Sequence, residues 1–551
     1  MQKKLSAFFD DETAAGAGLI ERTAVPDAGY DPEITALEYD SRAVREGALY
    51  FALPGLHTDG RHFITEAIRR GARAVVHQHE ISPDLRAEYA ADGNAVFLRV
   101  PDARFAMSPV AASFWGRPAR DLVIIGVTGT EGKSTIVSLV WQLLRRAGKK
   151  AGFISTVQYS LGGDAEWNPD HQTTPEATVI HAKLAAMRDS GAEYAVLESS
   201  SHGLSRRTNR LGDIFFDAGV MVNVTHEHLE FHGTWEQYRS DKANLFRALA
   251  RPRAARGAER GIKNTVPPFA VINADDPSAE YFAAAAEGAD VYRYSTRGKA
   301  ADLSTAEIES GADGNRYAIT VRGDGGAERV PVMDRLPGAF NAGNVLASLI
   351  VVSRLLNSTV ETLIPFVPEL IPVRGRMTAI NRGQPFEVLV DYAHTPSSFA
   401  AIFPPLRDRL SRRGGRIIAL FGSAGERDTA KRPLQGKIAG EFADIIVLTN
   451  EDPRREDPRA ILDAIARGAA EAGCTAAGRL HLVIDRALAI RRAFSLAREG
   501  DLVLLLGKGH ENTIIHDGYE CPWDEIAEAE RALDEMGFRV PVAAVSGIAV
   551  P

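Results

Sequence analysis

The sequence predicts an α/β protein of three domains, and three observations lead there. At 551 residues the chain is too long for one hydrophobic core, since domains of roughly 150 residues are usual. Short apolar runs of strand length alternate with stretches of helical periodicity, the pattern of α/β architecture. One such run, Leu122-Val-Ile-Ile125, leads into the glycine-rich turn Gly126-Val-Thr-Gly-Thr-Glu-Gly-Lys-Ser-Thr135 and then into a helical pattern from Ile136 to Leu144.

Bulk composition narrows the class. The chain is 45% hydrophobic and 25% charged, ordinary for a globular protein. Its net charge of −8 argues against a general nucleic-acid binder, which carries a basic footprint. Cys474 and Cys521 are the only cysteines, so neither a disulfide framework nor a cysteine metal cluster is expected. The start, Met1-Gln-Lys-Lys-Leu-Ser-Ala-Phe-Phe-Asp10, turns acidic before any long apolar core and does not read as a signal peptide. The apolar runs are far shorter than a membrane span. The expectation is a cytoplasmic protein that binds neither membrane nor nucleic acid.

Residues 1–118 hold the β-like runs Gly47–Leu53, Ala74–Val76 and Ala95–Leu98 with a helical stretch from Phe63 to Arg70, and predict a small α/β domain. Trp115-Gly-Arg-Pro-Ala119 reads as a hinge. Residues 119–371 open with the glycine-rich turn and continue with strand candidates Tyr194–Leu197, Ala218–Val222 and Phe269–Ile272. The basic, Gly- and Pro-broken stretch from Arg251 to Pro268 reads as a surface loop. Residues 372–551 repeat the theme with Glu387–Val390, Arg416–Phe421, Ile445–Leu448 and Leu502–Leu506, and helical patterns such as Pro458 to Ala470, which predicts a second doubly wound sheet.

The chemistry starts at the turn. Strand, glycine-rich turn, Lys-Ser, helix is the order of a phosphate loop, one residue longer here than the strict spacing. Backbone N–H groups of Thr128, Gly129, Thr130, Glu131 and Gly132 are placed to cradle phosphates, Lys133 to reach the β/γ oxygens, and the Ser134 hydroxyl to hold Mg²⁺. A nucleoside triphosphate is therefore the first expected ligand. Glu198, at the end of a strand candidate, is a natural Mg²⁺ ligand, because that ion prefers hard oxygens and shares them with phosphates. His226, His228 and His232 are spaced two and four apart. No cysteine lies nearby and the helical His-Glu-x-x-His pattern is missing, which favours one histidine at a magnesium or substrate site over a zinc site.

Read in order, the motifs resemble the Mur ligase family along essentially the whole chain. They are the phosphate loop, Thr173-Thr-Pro175, Glu198-Ser-Ser-Ser-His-Gly203, Asn223-Val-Thr-His-Glu-His-Leu-Glu-Phe-His-Gly233, Lys242, Phe340-Asn-Ala-Gly-Asn344, Gly375-Arg-Met377, Asp391-Tyr-Ala-His-Thr-Pro396, Lys431-Arg-Pro433, Asp452-Pro-Arg454 and Gly507-Lys-Gly-His-Glu511. The resemblance is to the members that add the third residue of the peptidoglycan stem peptide. It implies a UDP-binding N-terminal domain, a central ATPase and a C-terminal Rossmann-like domain for the incoming amino acid. It also implies a monomer whose partners are UDP-MurNAc-L-Ala-D-Glu and a free diamino acid, with ATP and Mg²⁺ as cofactors.

Residue by residue, the resemblance assigns Ser41, Arg42, His57 and Thr58 to the UDP-sugar end, and Thr173, Thr174, Ser200 and Arg206 to the muramyl-dipeptide. Family members carry Gln and Arg where this chain has Arg206 and Thr208, so the peptide contacts there differ. Asn341, Asn344, Arg376, Asp391 and His394 match the nucleotide side. Glu198 and His228 match a second magnesium site, and Lys242 a lysine that the family carries as a CO₂-derived carbamate; with Lys133 these form the implied catalytic set. Arg427, Glu451, Asp452, Pro453, Arg454, Gly507 and Glu511 match the amino-acid pocket. Asp452 stands where an Asn accompanies meso-diaminopimelate. The extra carboxylate favours a bare terminal ammonium, as on lysine or ornithine, whereas Arg454 and Arg427 favour a carboxylate; the signals conflict, with a slight lean toward lysine or ornithine. Another ligase of the same superfamily, such as a folylpolyglutamate synthase or a muramate-alanine ligase, is the nearest alternative, and a nucleotide-binding switch a more distant one.

Overall fold

The computed structural model describes residues 2–25, 29–55, 59–92, 94–168, 172–225, 229–250, 261–311, 314–323, 326–474 and 478–539. The chain divides into two compact units: Met1–Ala306 with Ile319–Val330 and Gly343–Phe366, and Glu307–Ala318 with Pro331–Ala342 and Val367–Pro551.

The first unit holds two larger sheets besides the short antiparallel pair Lys3–Lys4 with Glu33–Ile34. One runs Glu21–Val25, Ala95–Arg99, Ala72–His77, Ala48–Phe51, Ala36–Glu38 across its width, parallel except at its first pair. Three of its strands, Ala95–Arg99, Ala72–His77 and Ala48–Phe51, are the apolar runs read from the sequence, each extended or trimmed by a residue or two, whereas Glu21–Val25 and Ala36–Glu38 are not among those runs. Their side chains Leu49, Phe51, Val76 and Leu98 pack with Val110 and Phe114 of the helix Ala103–Phe114. The other sheet places Tyr194–Glu198 between Ala151–Ile154 and Val123–Thr128, followed by Ala218–Met221, Phe269–Asn273 and Asp290–Ser295, all parallel. All six residues of Val123–Thr128 are buried, as a central strand covered on both faces requires. The helix Lys133–Arg146 begins directly after the glycine-rich turn. Of the stretch read as a basic loop, 251–260 lies outside the described residues and Gly261–Thr265 forms a short 3-10 helix.

The second unit is built on the sheet Thr378–Ile380, Glu387–Asp391, Leu502–Leu506, Ile417–Phe421, Ile445–Leu448, Leu480–Leu482, parallel except for its first strand. Alternation along the strands sorts its two cores. Leu502, Leu504 and Leu506 face helices Pro396–Ser411, Lys431–Phe442 and Pro458–Glu471, whereas Val503 and Leu505 face Arg486–Leu496 and Glu525–Glu535. Each fully buried Leu, Ile or Val contributes about 1.5–3 kcal/mol, so these two layers dominate the stability of the unit. This is the doubly wound sheet that the sequence predicts. In such sheets ligands gather beyond the carboxyl ends of the strands, and Lys133, Glu198 and Gly507 lie at or just past such ends.

Candidate functional site

The phosphate loop occupies the turn between Val123–Thr128 and Lys133–Arg146, as expected. Gly132 sits at φ 83°, and an added Cβ would stand 3.0 Å from Asn344 Oδ1 and 3.0 Å from Val222 Cγ1. Glycine is needed there for conformation and for space. The helix N-terminus has no side-chain cap, which leaves its amide dipoles facing the loop. Asn223, just past the strand Ala218–Met221, fixes the loop: its Oδ1 accepts from Thr130 N at 3.1 Å and Glu131 N at 2.9 Å. Lys133 Nζ donates to Thr130 O at 2.7 Å.

Strand register brings the next group in. Glu198 pairs beside Val127, so its carboxylate lies next to the start of the loop helix. Ser134 Oγ is 3.0 and 2.9 Å from its two oxygens, and Thr156 N donates to Oε2 at 2.8 Å. Thr174 Oγ1 donates to Glu198 O at 2.8 Å and accepts from Ser200 N at 2.9 Å, tying the Thr173–Pro175 loop to the same strand end. Ser200 Oγ caps the turn Ser201–Leu204 by accepting from Gly203 N at 3.1 Å.

The helix Trp235–Leu249 docks on the loop through two residues one turn apart. Tyr238 OH lies 3.0 Å from Thr130 Oγ1. Lys242, 2% exposed, donates to Gly129 O at 2.6 Å with its ammonium 4.5 Å above the Tyr238 ring. His232 is buried between Asp241 Oδ2 at 2.8 Å and Ser201 Oγ at 3.0 Å, joining this helix to the segment after Glu198. His226 and His228 lie outside the described residues, as do His57 and Thr58. Among the described residues no group of three or more His, Cys, Asp or Glu is arranged to hold a metal ion. The facing hydroxyl and carboxylate of Ser134 and Glu198 are nevertheless the hard oxygen donors that Mg²⁺ takes when phosphate completes its shell.

Thr128 ends its strand fully buried. Asn344 lies against the phosphate loop through Gly132. In the N-terminal sheet, Ser41 and Arg42 form a turn just beyond the strand Ala36–Glu38. There Asp40 accepts from Arg42 N at 2.9 Å and pairs with its largely exposed guanidinium at 2.7 Å. Arg206 is exposed and lines a small surface cleft with Asn209, Asn244 and Arg247; no phosphate-loop residue contributes to that lining.

The second unit gathers the remaining predicted residues. Asn341 opens the helix Asn341–Leu355, and its amide donates to Pro337 O at 2.7 Å. Asp391 accepts from Met377 N and Ala393 N at 2.7 Å each; burial raises its pKa above the ordinary carboxylate value, against the pull of nearby Arg376. The Arg376 guanidinium lies 4.8 Å over the Tyr392 ring, which also packs against His394 and His510 at 4.6 Å. Tyr392 OH donates to Glu511 Oε1 at 3.1 Å.

In the amino-acid pocket, Lys508 is 1% exposed. Its Nζ donates to Asp452 Oδ1 at 2.8 Å and Glu511 Oε2 at 2.5 Å. Asp452 Oδ1 also accepts from Ile515 N at 3.0 Å. Gly507 sits at φ 102°, and a Cβ there would stand 2.8 Å from Glu451 Oε2. That buried oxygen has no partner among the described residues. Pro453 is buried between Asp452 and Arg454; Arg454 holds a left-handed φ of 53° and donates its amide to Ile515 O at 3.1 Å, while Arg427 is exposed. The Asp452 charge, read from the sequence as an attraction for a ligand ammonium, is thus already matched by Lys508, and it ceases to be a ground for choosing among diamino acids. Thr156 and Tyr238 were not singled out by sequence, and Asn223 and Lys508, though inside the quoted motifs, carried no role of their own there. Lys508 had a signal in its flanking glycines; the Thr156 amide had none.

Three segments of the chain match known families: residues 33–115 the Mur ligase family, catalytic domain; 127–352 the Mur ligase middle domain; and 375–509 the Mur ligase, glutamate ligase domain. The chain belongs to the Mur ligase family, and the three-domain α/β architecture follows. Within it, the chain is 47% identical over 526 residues to the UDP-N-acetylmuramyl-tripeptide synthetase of Treponema denticola, covering 91% of this chain and 94% of that one. The protein of that name from Roseiflexus sp. is 46% identical over 92% of this chain and 96% of its own length. A solved UDP-N-acetylmuramoyl-L-alanyl-D-glutamate--2,6-diaminopimelate ligase is 28% identical, covers 92% of this chain and 95% of its own, and has a TM-score of 0.57.

Proposed function

We infer that the chain is an ATP-dependent, ADP-forming ligase that joins a diamino acid to UDP-N-acetylmuramoyl-L-alanyl-D-glutamate in peptidoglycan precursor synthesis. The observation that carries this reading is the Ser134–Glu198 contact beside the phosphate loop, which sets a magnesium-type oxygen pair next to Lys133. The γ-carboxylate of the D-glutamyl residue attacks the γ-phosphorus of ATP and ADP leaves. The amine of the diamino acid then attacks the acyl phosphate, and amide forms as inorganic phosphate departs. Carboxylate and triphosphate repel, so the first step depends on positioning and charge stabilisation rather than on a protein nucleophile.

Lys133 and the amides at the start of Lys133–Arg146 bind and orient the phosphates. Ser134 and Glu198, with His228 by family match, would hold Mg²⁺, which supplies charge neutralisation between the two anions. Thr173, Thr174, Ser200 and Arg206 are proposed for the peptide, and Ser41, Arg42, His57 and Thr58 for the UDP end. Arg376, Asp391, His394 and Asn341 are proposed for the nucleotide. Glu451, Arg454, Gly507 and Glu511, with Arg427 and Asp452, are proposed for the amino acid. The reaction is proposed for the cytoplasm, where ATP is found. Among the described residues no single helix is long and apolar enough to cross a membrane.

Lys242 is proposed to act as a carbamate. Its neutral amine adds to CO₂ with loss of a proton, turning a buried cation into an anionic oxygen ligand beside the loop while an N–H remains for Gly129 O. Lys242→Ala is then inactive and partly rescued by formate or acetate; full activity, or no rescue, refutes it. The function itself is tested by ADP release with UDP-MurNAc-L-Ala-D-Glu, Mg-ATP and, separately, lysine, ornithine and meso-diaminopimelate, with product masses confirmed. Release that ignores the UDP substrate would favour a nucleotide switch instead.

A further inference from the structure

The first unit buries a carboxylate, that of Glu176, which the reaction scheme above does not use. Glu176 follows Thr173-Thr-Pro175 and stands at the N-cap of the helix Ala177–Asp189, yet its side chain makes no cap hydrogen bond. An acid at that position ordinarily accepts from the first amides of its helix. Here Oε1 accepts instead from Arg104 Nη1 and Arg210 Nη2, both at 2.8 Å, and the side chain is 6% exposed. Arg104 belongs to the helix Ala103–Phe114 that covers the N-terminal sheet. Arg210 donates through Nη1 to Thr174 O at 2.8 Å. Two further bonds rest the Arg210 segment on the same helix: Asn209 Nδ2 donates to Phe105 O at 3.0 Å, and Asp213 N to Ser108 Oγ at 3.1 Å.

Thr174 carries the connection onward. Its hydroxyl bonds Glu198 O and Ser200 N, and Gly203 packs so closely on it that a Cβ there would collide with the Thr174 side chain. From Arg104 through Glu176, Arg210 and Thr174 to Glu198 O, every link is a hydrogen bond of 2.8 Å. We propose that Glu176 is a positioning residue: it aligns the N-terminal sheet, which takes the UDP end, with the strand end where the D-glutamyl carboxylate meets ATP. Binding energy gained at the remote UDP end is thereby used to orient the reacting carboxylate, and that orientation is expressed in kcat rather than in affinity. A buried carboxylate held by two guanidinium groups suits the task, because displacing either arginine leaves buried charge underpaired. The proposal rests on the ligase reading above.

The test compares Arg104→Met, Glu176→Gln and, as a control, Arg188→Met. Arg188 Nη1 donates to Trp115 O at 3.2 Å, a contact of the helix Ala177–Asp189 with the end of Ala103–Phe114 that does not pass through Thr174. Steady-state ADP release is measured with UDP-MurNAc-L-Ala-D-Glu, Mg-ATP and each of lysine, ornithine and meso-diaminopimelate, and the Kd of UDP-MurNAc-L-Ala-D-Glu by calorimetry. In Arg104→Met, kcat is expected to fall about tenfold, while the Kd and the KM for ATP stay within about twofold. The calorimetric stoichiometry holds, whereas an unfolded fraction would lower it along with kcat. Glu176→Gln shows the same split with a larger loss of kcat. If Glu176→Gln does not fold, Arg104→Met, which leaves Glu176 paired with Arg210, decides the matter alone. Arg188→Met keeps kcat within about twofold. An unchanged kcat in Arg104→Met overturns the proposal, as does a rise in Kd that accounts for the whole loss of kcat/KM, or an equal loss of kcat in Arg188→Met. Failure of the ligase reading looks different: the wild type then releases no ADP in response to UDP-MurNAc-L-Ala-D-Glu with any of these amino acids, and the reading and the proposal fall together.

Discussion

The phosphate site of the first unit and the acidic pocket of the second both contain a lysine a few residues after a strand, Lys133 at the start of a helix and Lys508 in a loop, yet they partner it in opposite ways. Lys133 donates to a neutral carbonyl, and among the described residues it forms no ion pair. Lys508 is clamped by two carboxylates. A cation resting on a carbonyl remains electrostatically available to an arriving anion. A cation already neutralised leaves the surplus acid beside it available to an arriving cation. The two pockets are thus pre-set for ligands of opposite sign, a triphosphate and an ammonium, before either ligand is present.

The largest expected effect breaks the first side of that contrast. Lys133→Ala should lower the rate of ADP release about 10³-fold, since it removes a charge aimed at the transferring phosphoryl group. A loss below tenfold, measured at saturating substrates, would show that Lys133 serves the loop and not the ligand.

Next comes the support of the acidic side. Arg486 is buried against Glu525 at 2.7 Å and also donates to Asn450 O at 2.9 Å and Leu506 O at 2.8 Å, the residues just before Glu451 and Gly507. Arg486→Met leaves Glu525 as an uncompensated buried charge and should cost about 3 kcal/mol in urea unfolding followed by a probe in the second unit. An unchanged midpoint would mean that water reaches Glu525.

Gly507→Ala sharpens the contrast without touching a charge. The left-handed φ and the 2.8 Å approach to Glu451 Oε2 should raise the amino-acid KM about tenfold, leaving the KM for ATP within about twofold. Equal changes in both would unlink Glu451 from the amine donor.

The smallest effect uses a buried base that is kept neutral in the first unit. Burial lowers the His181 pKa from 6.5 to about 3. Between those values the unfolded chain binds a proton that the folded chain refuses, so stability falls as pH drops through the window. The loss is about 1 kcal/mol over the first pH unit below 6.5. His181→Leu should flatten that part of the stability profile measured by urea midpoints; an unchanged slope would assign the acid sensitivity to other groups.

Much of this was legible in sequence because the ligands of a parallel sheet follow their strands directly. Val123–Thr128 runs into the phosphate loop, Tyr194–Glu198 ends on its own carboxylate, and Leu502–Leu506 ends at Gly507. What stayed hidden crosses from one strand end to another. The Thr156 amide on Glu198 and the Lys508 clamp on Asp452 span 42 and 56 residues. The long strands Gly314–Gly323 and Gly326–Asp334 also escaped notice, since mixed polar and apolar residues gave no clear buried run.

By itself the sequence determined the α/β class, the main buried parallel strands and the phosphate loop, because period, glycine placement and Lys-Ser spacing are local properties of the chain. Only the tertiary structure decided the charge state of the amino-acid pocket. Asp452 reads as a free carboxylate in one dimension, and it is a paired one once a sheet register sets Lys508 2.8 Å away. Electrostatics depends on distance in space and on burial, and neither is written in the spacing of residues along a chain.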